Sequence, residues 1–257
     1  MPSPIDKSSE MVNAALKIVE EGKRKGIILR MTGGTAVKFH CPNSERLFRG
    51  MKRVIVDVDL MSYGKFNRAM RGFFQEIGYT SSLSKLVALA GRQRHIYHDE
   101  ENDITVDVLF DKFVMCHTID FKGRLELDYP TVPLADMLLQ KMQVVKINEK
   151  DINDVIVLLR EHEVGETEKE TINAKYIAKL LSNDWGFWYT VTTNLNLVKD
   201  FLGKYKVLSK EDRSDVETKI DKLLKYIEKE KKSLGWKLRV RVGTSRKWYS
   251  EVEEVPV

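Results

Sequence analysis

Residues 53–60 read "RVIVDVDL". Apolar and polar residues alternate cleanly and β-branched side chains dominate, so the stretch predicts a strand. In a strand, residues two apart share a face. Val54, Val56, Val58 and Leu60 then lie on one side, with Ile55, Asp57 and Asp59 on the other. Two carboxylates roughly 6–7 Å apart on one face repel each other unless a cation lies between them. For an isolated Asp-x-Asp, exposure to solvent is explanation enough, so the flanking sequence decides.

Upstream, "IILRM" (27–31) predicts a short buried strand, followed at once by Thr32-Gly33-Gly34-Thr35 and a short helix over 35–40. Two adjacent glycines let the backbone turn sharply and approach something closely, which suits either a plain turn or a phosphate cradle. Downstream, Phe66, Met70, Phe73, Phe74 and Ile77 mark one side of a helix over 64–77. "RHIYHD" and "DITVDVLF" then form a predicted hairpin over 94–110, in which Asp107 opposes Ile104, Val106 and Val108. An acid on a neighbouring strand brings the set to three. Three carboxylates on adjacent strands make a hard-oxygen site suited to Mg²⁺, which also takes substrate phosphates as ligands. Two such ions ~3.5–4 Å apart clamp the attacking and leaving oxygens of a phosphoryl transfer.

The order "GGTAVKFH…RVIVDVDL…ITVDVLF" resembles the nucleotidyltransferase fold, whose signature is Gly-Gly or Gly-Ser, then Asp-x-Asp, then a third acid. The resemblance implies an α+β protein with a mixed-sheet, polymerase-beta-like core flanked by helices. It implies that Gly33, Gly34 and Thr35 hold a nucleoside triphosphate and that Asp57, Asp59 and Asp107 bind two Mg²⁺ ions, with Mn²⁺ as an alternative. The family often reads Arg-x-Ser/Thr-x-Asp before its Asp-x-Asp. Here Arg53 is present as a nucleotide contact, but Ile55 replaces the hydroxyl.

"LADMLLQKMQVVKINEKDINDVIVLL" (134–159) is similar to the AbiEii/AbiGii-type toxin branch, with a Lys on one helix and a basic-Asp-x-x-Asp run on the next. Lys141 matches as a catalytic cation, and Asp151 and Asp154 as nucleotide contacts. An Asp-x-x-Asp on a helix puts both carboxylates on one face. The resemblance covers about residues 27–160. The implied reaction is transfer of a nucleotidyl group to an acceptor hydroxyl, with RNA or tRNA as a toxin-like acceptor and an antitoxin protein as a partner. A non-catalytic nucleotide or RNA binder that kept the fold, and an antibiotic-type small-molecule transferase, are the competing readings.

Composition sets the frame. The 257 residues, 42% hydrophobic and 32% charged, suffice for one large domain or two modest ones. We expect a core with flanking helices at 1–165 and a mainly helical domain at 166–257, joined by an acidic linker at 163–171 and ending in a basic strand. No run approaches a membrane span and the start lacks a signal pattern, so a membrane partner is not expected. Two cysteines, Cys41 and Cys116, cannot build a disulfide framework and fit a cytoplasmic setting.

Charge is uneven. Residues 199–248 hold sixteen Lys/Arg against eight Asp/Glu, a balance of +8 in a chain of net +5. "WKLRVRV" (236–242) separates, as a strand, into Trp236, Leu238, Val240 and Val242 against Lys237, Arg239 and Arg241. With Arg246, Lys247, Trp248 and Tyr249 it suits a nucleic-acid backbone, and equally an edge strand blunted by charge. "WGFWYT" (185–190) fits packing between the two domains better than base stacking. His95-x-x-His98, His40-Cys41 and Cys116-His117 match no four-ligand zinc spacing.

Overall fold

The computed structural model describes residues 4–81 and 94–251. The chain is α+β. Helix α1 (Pro4–Arg24) buries Met11, Ala15, Ile18 and Val19, one stripe at helical spacing. Gly26, at φ +71, stops it. Strand β1 (Leu29–Thr32) runs directly into helix α2 (Gly33–His40), which is followed by α3 (Glu45–Gly50). Then come β2 (Val58–Ser62), α4 (Asn67–Glu76), β3 (Thr80–Ser81), β4 (Arg94–Asp99) and β5 (Ile104–Phe110).

These five strands form one mixed sheet in the order β1-β2-β5-β4-β3. Strands β2 and β5 are parallel, while β1 pairs antiparallel to β2 and β4 antiparallel to β5. One face is sealed. Val58, Leu60, Val106, Val108 and Tyr97 are all at most 1% exposed, and the Phe74 ring of α4 stacks on Tyr97 at 3.9 Å between centroids. Burial alternates strictly along β5, so the residues between the valines, Asp107 among them, lie on the half-open face. The hairpin expected at 94–110 is present, its turn using Asp103 at φ +52.

After the short strands β6 (Lys112–Val114) and β7 (Thr118–Asp120) the chain is mainly helical. Helices α5 (Leu134–Met142) and α6 (Glu149–Glu161) match the expected pair, and the Asn148 side chain caps α6 by accepting from Asp151 N–H at 2.9 Å. Strands β8 (Glu163–Gly165) and β9 (Thr171–Asn173) form a parallel pair. Helices α7 (Ala174–Leu181), α8 (Trp185–Leu202), α9 (Lys210–Lys229) and α10 (Leu234–Val240) complete the described chain.

Three expectations are corrected. The strand expected at 53–60 starts only at Val58: Ile55 is buried at 1% exposure while Val56 is 49% exposed, so the alternation breaks before the ladder begins. The acidic linker at 163–171 is framed by β8 and β9, each holding one buried apolar residue, Val164 or Ile172, too few for a periodic signal. The closing basic strand is instead helix α10, started by Ser233, whose hydroxyl accepts from Trp236 N–H at 3.2 Å. The aromatic run at 185–190 lies in α8, where it meets Trp236 and Trp248, and Phe187 stacks on His117 of the expected first domain at 4.9 Å.

The chain divides into two compact units. A sheet unit comprises Met1–Pro42, Lys52–Phe113 and Asp120–Pro133, and a helical unit comprises Asn43–Met51, Val114–Ile119 and Leu134–Val257. Helices α5 and α6 thus cluster with the later helices, with which they pack, rather than with the sheet. No helix among the described residues is long and apolar enough to cross a membrane.

Candidate functional site

In the sheet unit, register builds a row of residues across three strands. Thr32 of β1 pairs with Asp59 of β2, which pairs with Asp107 of β5, which pairs with Ile96 of β4. Paired residues on neighbouring strands share a face, and strands lie ~4.8 Å apart. Asp59 and Asp107 therefore stand side by side on the half-open face. Asp57 sits exposed in the bend just before β2, one residue ahead of the ladder. Its charge nonetheless acts on Asp107.

The glycine pair meets this row. Gly33, at φ +62, opens α2 directly after Thr32, and a Cβ built there would overlap the Asp59 carboxylate. Both its dihedral and its surroundings demand glycine. A Cβ on Gly34 would come 2.6 Å from Nη2 of Arg53, the mobile end of a long side chain. Arg53 Nη1 donates to the Val54 carbonyl at 2.5 Å. Thr35 is buried, its hydroxyl donating to the Thr32 carbonyl at 3.0 Å. The missing hydroxyl at position 55 has a counterpart: Ser8 of α1 accepts the Ile55 N–H at 3.0 Å.

Arg94, which alternation alone did not single out, grips the third acid. Its Nε lies 2.7 Å and its Nη2 2.5 Å from Oδ2 of Asp107. Burial pushes the Asp107 carboxyl above its usual range, helped by Asp57 and opposed by Arg94. At Arg94 burial works against the charge, but the bond to Asp107 and the charges of Asp107 and Asp59 prevail and raise it. The two-nitrogen geometry is that of an ion pair, and we read both groups as charged. The register carries the signal that alternation lacks: with Ile96 opposite Asp107, Arg94 is the diagonal neighbour on the same face.

Oδ1 of Asp107 is buried and has no hydrogen-bond partner among the described residues. An orphaned carboxylate oxygen beside a second carboxylate suits a hard cation, and so do the hard-oxygen donors themselves. As the side chains stand, no three His, Cys, Asp or Glu groups among the described residues enclose an ion, because Arg94 already holds one oxygen of the third acid.

The helical unit gathers the other predicted residues. Lys141 of α5 lies 2.8 Å from Oδ1 of Asp151 and 2.9 Å from Oδ2 of Asp154, both on α6 one turn apart. The lysine and Asp151 side chains are each 14% exposed and that of Asp154 0%. Burial works against the lysine charge, but Asp154 and Asp151 outweigh it and raise its pKa, so Lys141 stays protonated and is no general base.

The histidines are engaged elsewhere. His95 Nδ1 faces the Tyr97 hydroxyl at 2.9 Å, His98 Nδ1 faces the Thr105 hydroxyl at 3.1 Å, and His117 Nε2 faces the Thr190 hydroxyl at 2.9 Å. Cys41 and Cys116 are buried and not joined in a disulfide. Neither the models of known protein families nor the curated proteins include a match to this chain.

Proposed function

We propose that the sheet unit is the core of a metal-dependent nucleotidyltransferase, moving a nucleotidyl group from a nucleoside triphosphate to an acceptor hydroxyl. The observation that carries this reading is the pairing of Asp59 with Asp107 across β2 and β5, with Gly33 against the Asp59 carboxylate. Asp59 and Asp107, joined by Asp57, would hold Mg²⁺, which when bound neutralises phosphate charge and makes the acceptor hydroxyl more acidic. Gly33 and Gly34 leave the backbone at the start of α2 open to the triphosphate, and Arg53 behind Gly34 supplies a cation. The acceptor oxygen attacks the α-phosphorus in line, the bond to the β-phosphate bridging oxygen breaks, and pyrophosphate leaves. The acceptor proton goes to Asp107, whose charged carboxylate burial makes a stronger proton acceptor than an exposed one.

In this reading Lys141, held charged by Asp151 and Asp154, contributes positive charge rather than proton transfer. RNA is the acceptor we favour, because the basic excess near the C-terminal end suits a polyanion. The test is incubation of the protein with each α-labelled nucleoside triphosphate, Mg²⁺ or Mn²⁺, and total RNA. Label entering RNA supports the proposal. No label entering RNA, protein or small molecules with any nucleotide would leave the non-catalytic binder.

A further inference from the structure

The four tryptophans of the chain, Trp185, Trp188, Trp236 and Trp248, belong to one aromatic cluster in the helical unit. Trp185 stacks on Tyr189 at 5.3 Å, Trp188 meets Trp236 edge-on at 5.1 Å, and Tyr189 meets Trp248 edge-on at 5.2 Å. Beside them lies a cavity of about 540 Å³ whose walls include His117, Trp185, Trp236, Arg239, Lys247 and Trp248. That volume falls within the ~300–1,000 Å³ typical of ligand sites.

Two features of the walls ask for a ligand. The indole Nε1 groups of Trp185 and Trp236 are buried and have no hydrogen-bond acceptor among the described residues, although Trp185 as a whole is only 4% exposed. The indole of Trp248, by contrast, donates to the Thr190 hydroxyl at 3.1 Å. A buried donor left unpaired is costly, so an acceptor arriving in the cavity is favoured. The second feature is charge. Residues 231–250 contain seven Lys/Arg and no Asp/Glu. Arg239 lies over the Trp185 ring at 4.7 Å, pinned by bonds to the carbonyls of Gly243 and Arg246 at 2.6 and 2.8 Å. The acid in the wall, Asp184, is engaged in capping α8 through Phe187 N–H at 3.0 Å.

We propose that this cavity binds single-stranded nucleic acid, one base stacking on the half-buried rings of Trp236 and Trp248 while the cations of 231–250 meet its phosphates. Aromatic faces accept any base, and a cationic rim tracks a phosphate backbone, so the site selects strandedness more than sequence. The run of seven cations favours a polyanion over a single nucleotide. The inference does not rest on the transferase reading, since none of the acids of the sheet unit takes part.

Because every tryptophan of the chain lies in this cluster, intrinsic tryptophan emission reports on it alone. The experiment titrates the full chain, without Mg²⁺, with a short single-stranded oligoadenylate, an RNA duplex and AMP, at low and moderate salt. The single strand should quench emission and saturate, weaken steeply with salt, and outcompete the duplex. Trp236→Leu should weaken it by about tenfold. Lys247 pairs with Glu251 in the free protein, a surface pair that a phosphate would displace, so Lys247→Gln should lower the salt slope without touching the fold. Absence of quenching, an AMP response as strong as the strand's, or an unchanged salt slope in Lys247→Gln would overturn the proposal. Loss of transfer in Asp59→Asn with strand quenching intact would separate this site from the transferase core.

Discussion

Two carboxylate clusters in this protein solve the same electrostatic problem in opposite ways. On the sheet, Asp59 and Asp107 stand side by side, and the Arg94 guanidinium compensates one oxygen of one acid from a half-open face. In the helical unit, Asp151 and Asp154 share a single lysine closed in by packing. The sheet cluster keeps an orphaned, buried carboxylate oxygen at Asp107, while Lys141 reaches both acids of the other cluster within hydrogen-bond distance. A site whose charge is already answered stabilises the fold. A site with an unanswered acceptor is poised for a cation that comes and goes.

That contrast predicts where substitutions act. The largest effect is expected at Asp59→Asn, which should cut nucleotidyl transfer by about 10³-fold while leaving the melting temperature near wild type, because removing one of two adjacent carboxylates relieves repulsion. Full transfer in a folded Asp59→Asn protein would collapse the distinction between the clusters.

Lys141→Met should do the reverse to stability. Removing the cation leaves two carboxylates uncompensated, one fully buried, and should cost about 3 kcal/mol in denaturant unfolding. The sign with pH follows from the raised lysine pKa. The pair's contribution is complete below the unfolded lysine value and fades only as pH climbs above it towards the higher folded value. The gap between wild type and Lys141→Met should therefore stay constant from neutral to mildly alkaline pH and narrow on acidification, where the buried carboxylates left without the lysine take up protons. A gap that shrinks between neutral and mildly alkaline pH would show the lysine to be less tightly held than its geometry implies.

The glycines sharpen the comparison further. Gly33→Ala combines a left-handed backbone with a Cβ overlapping Asp59, and should cost about 1–3 kcal/mol together with weaker triphosphate binding. Gly34→Ala meets the end of the Arg53 side chain and, at 3.4 Å, Ile55 Cγ1, without the left-handed backbone of Gly33, and should cost less, about 0.5–1 kcal/mol. Equal costs at the two positions would mean that the turn, and not its approach to Asp59, sets the requirement. Arg94→Gln should act on the site rather than on stability. Freeing Asp107 from its competing guanidinium should tighten divalent-cation binding about fivefold. Weaker binding would instead make Arg94 part of the site's support.

Much of the sheet was legible in residues 27–110 because half-buried strands write a period of two into the sequence. The valines around Asp107 fixed its face, and Asn148 announced the start of α6. The edges were less legible. Alternation runs on through Arg53–Asp57, which the structure leaves ahead of the ladder, so the strand is expected five residues too early. The basic segment at 236–242 alternates like a strand, yet the Ser233 cap starts a helix whose Leu238 and Val240 remain 62% and 41% exposed. Arg94 was missed because its role comes from cross-strand register, which period alone does not give.

The central claim is that the Asp59–Asp107 pair is a divalent-cation site beside the Gly33 turn. It is tested most directly by electron paramagnetic resonance titration of Mn²⁺, with a non-hydrolysable triphosphate present, on wild type and Asp59→Asn. The account predicts saturable Mn²⁺ binding to wild type that weakens at least about 100-fold in the variant. Equal Mn²⁺ affinity in the two proteins would contradict it.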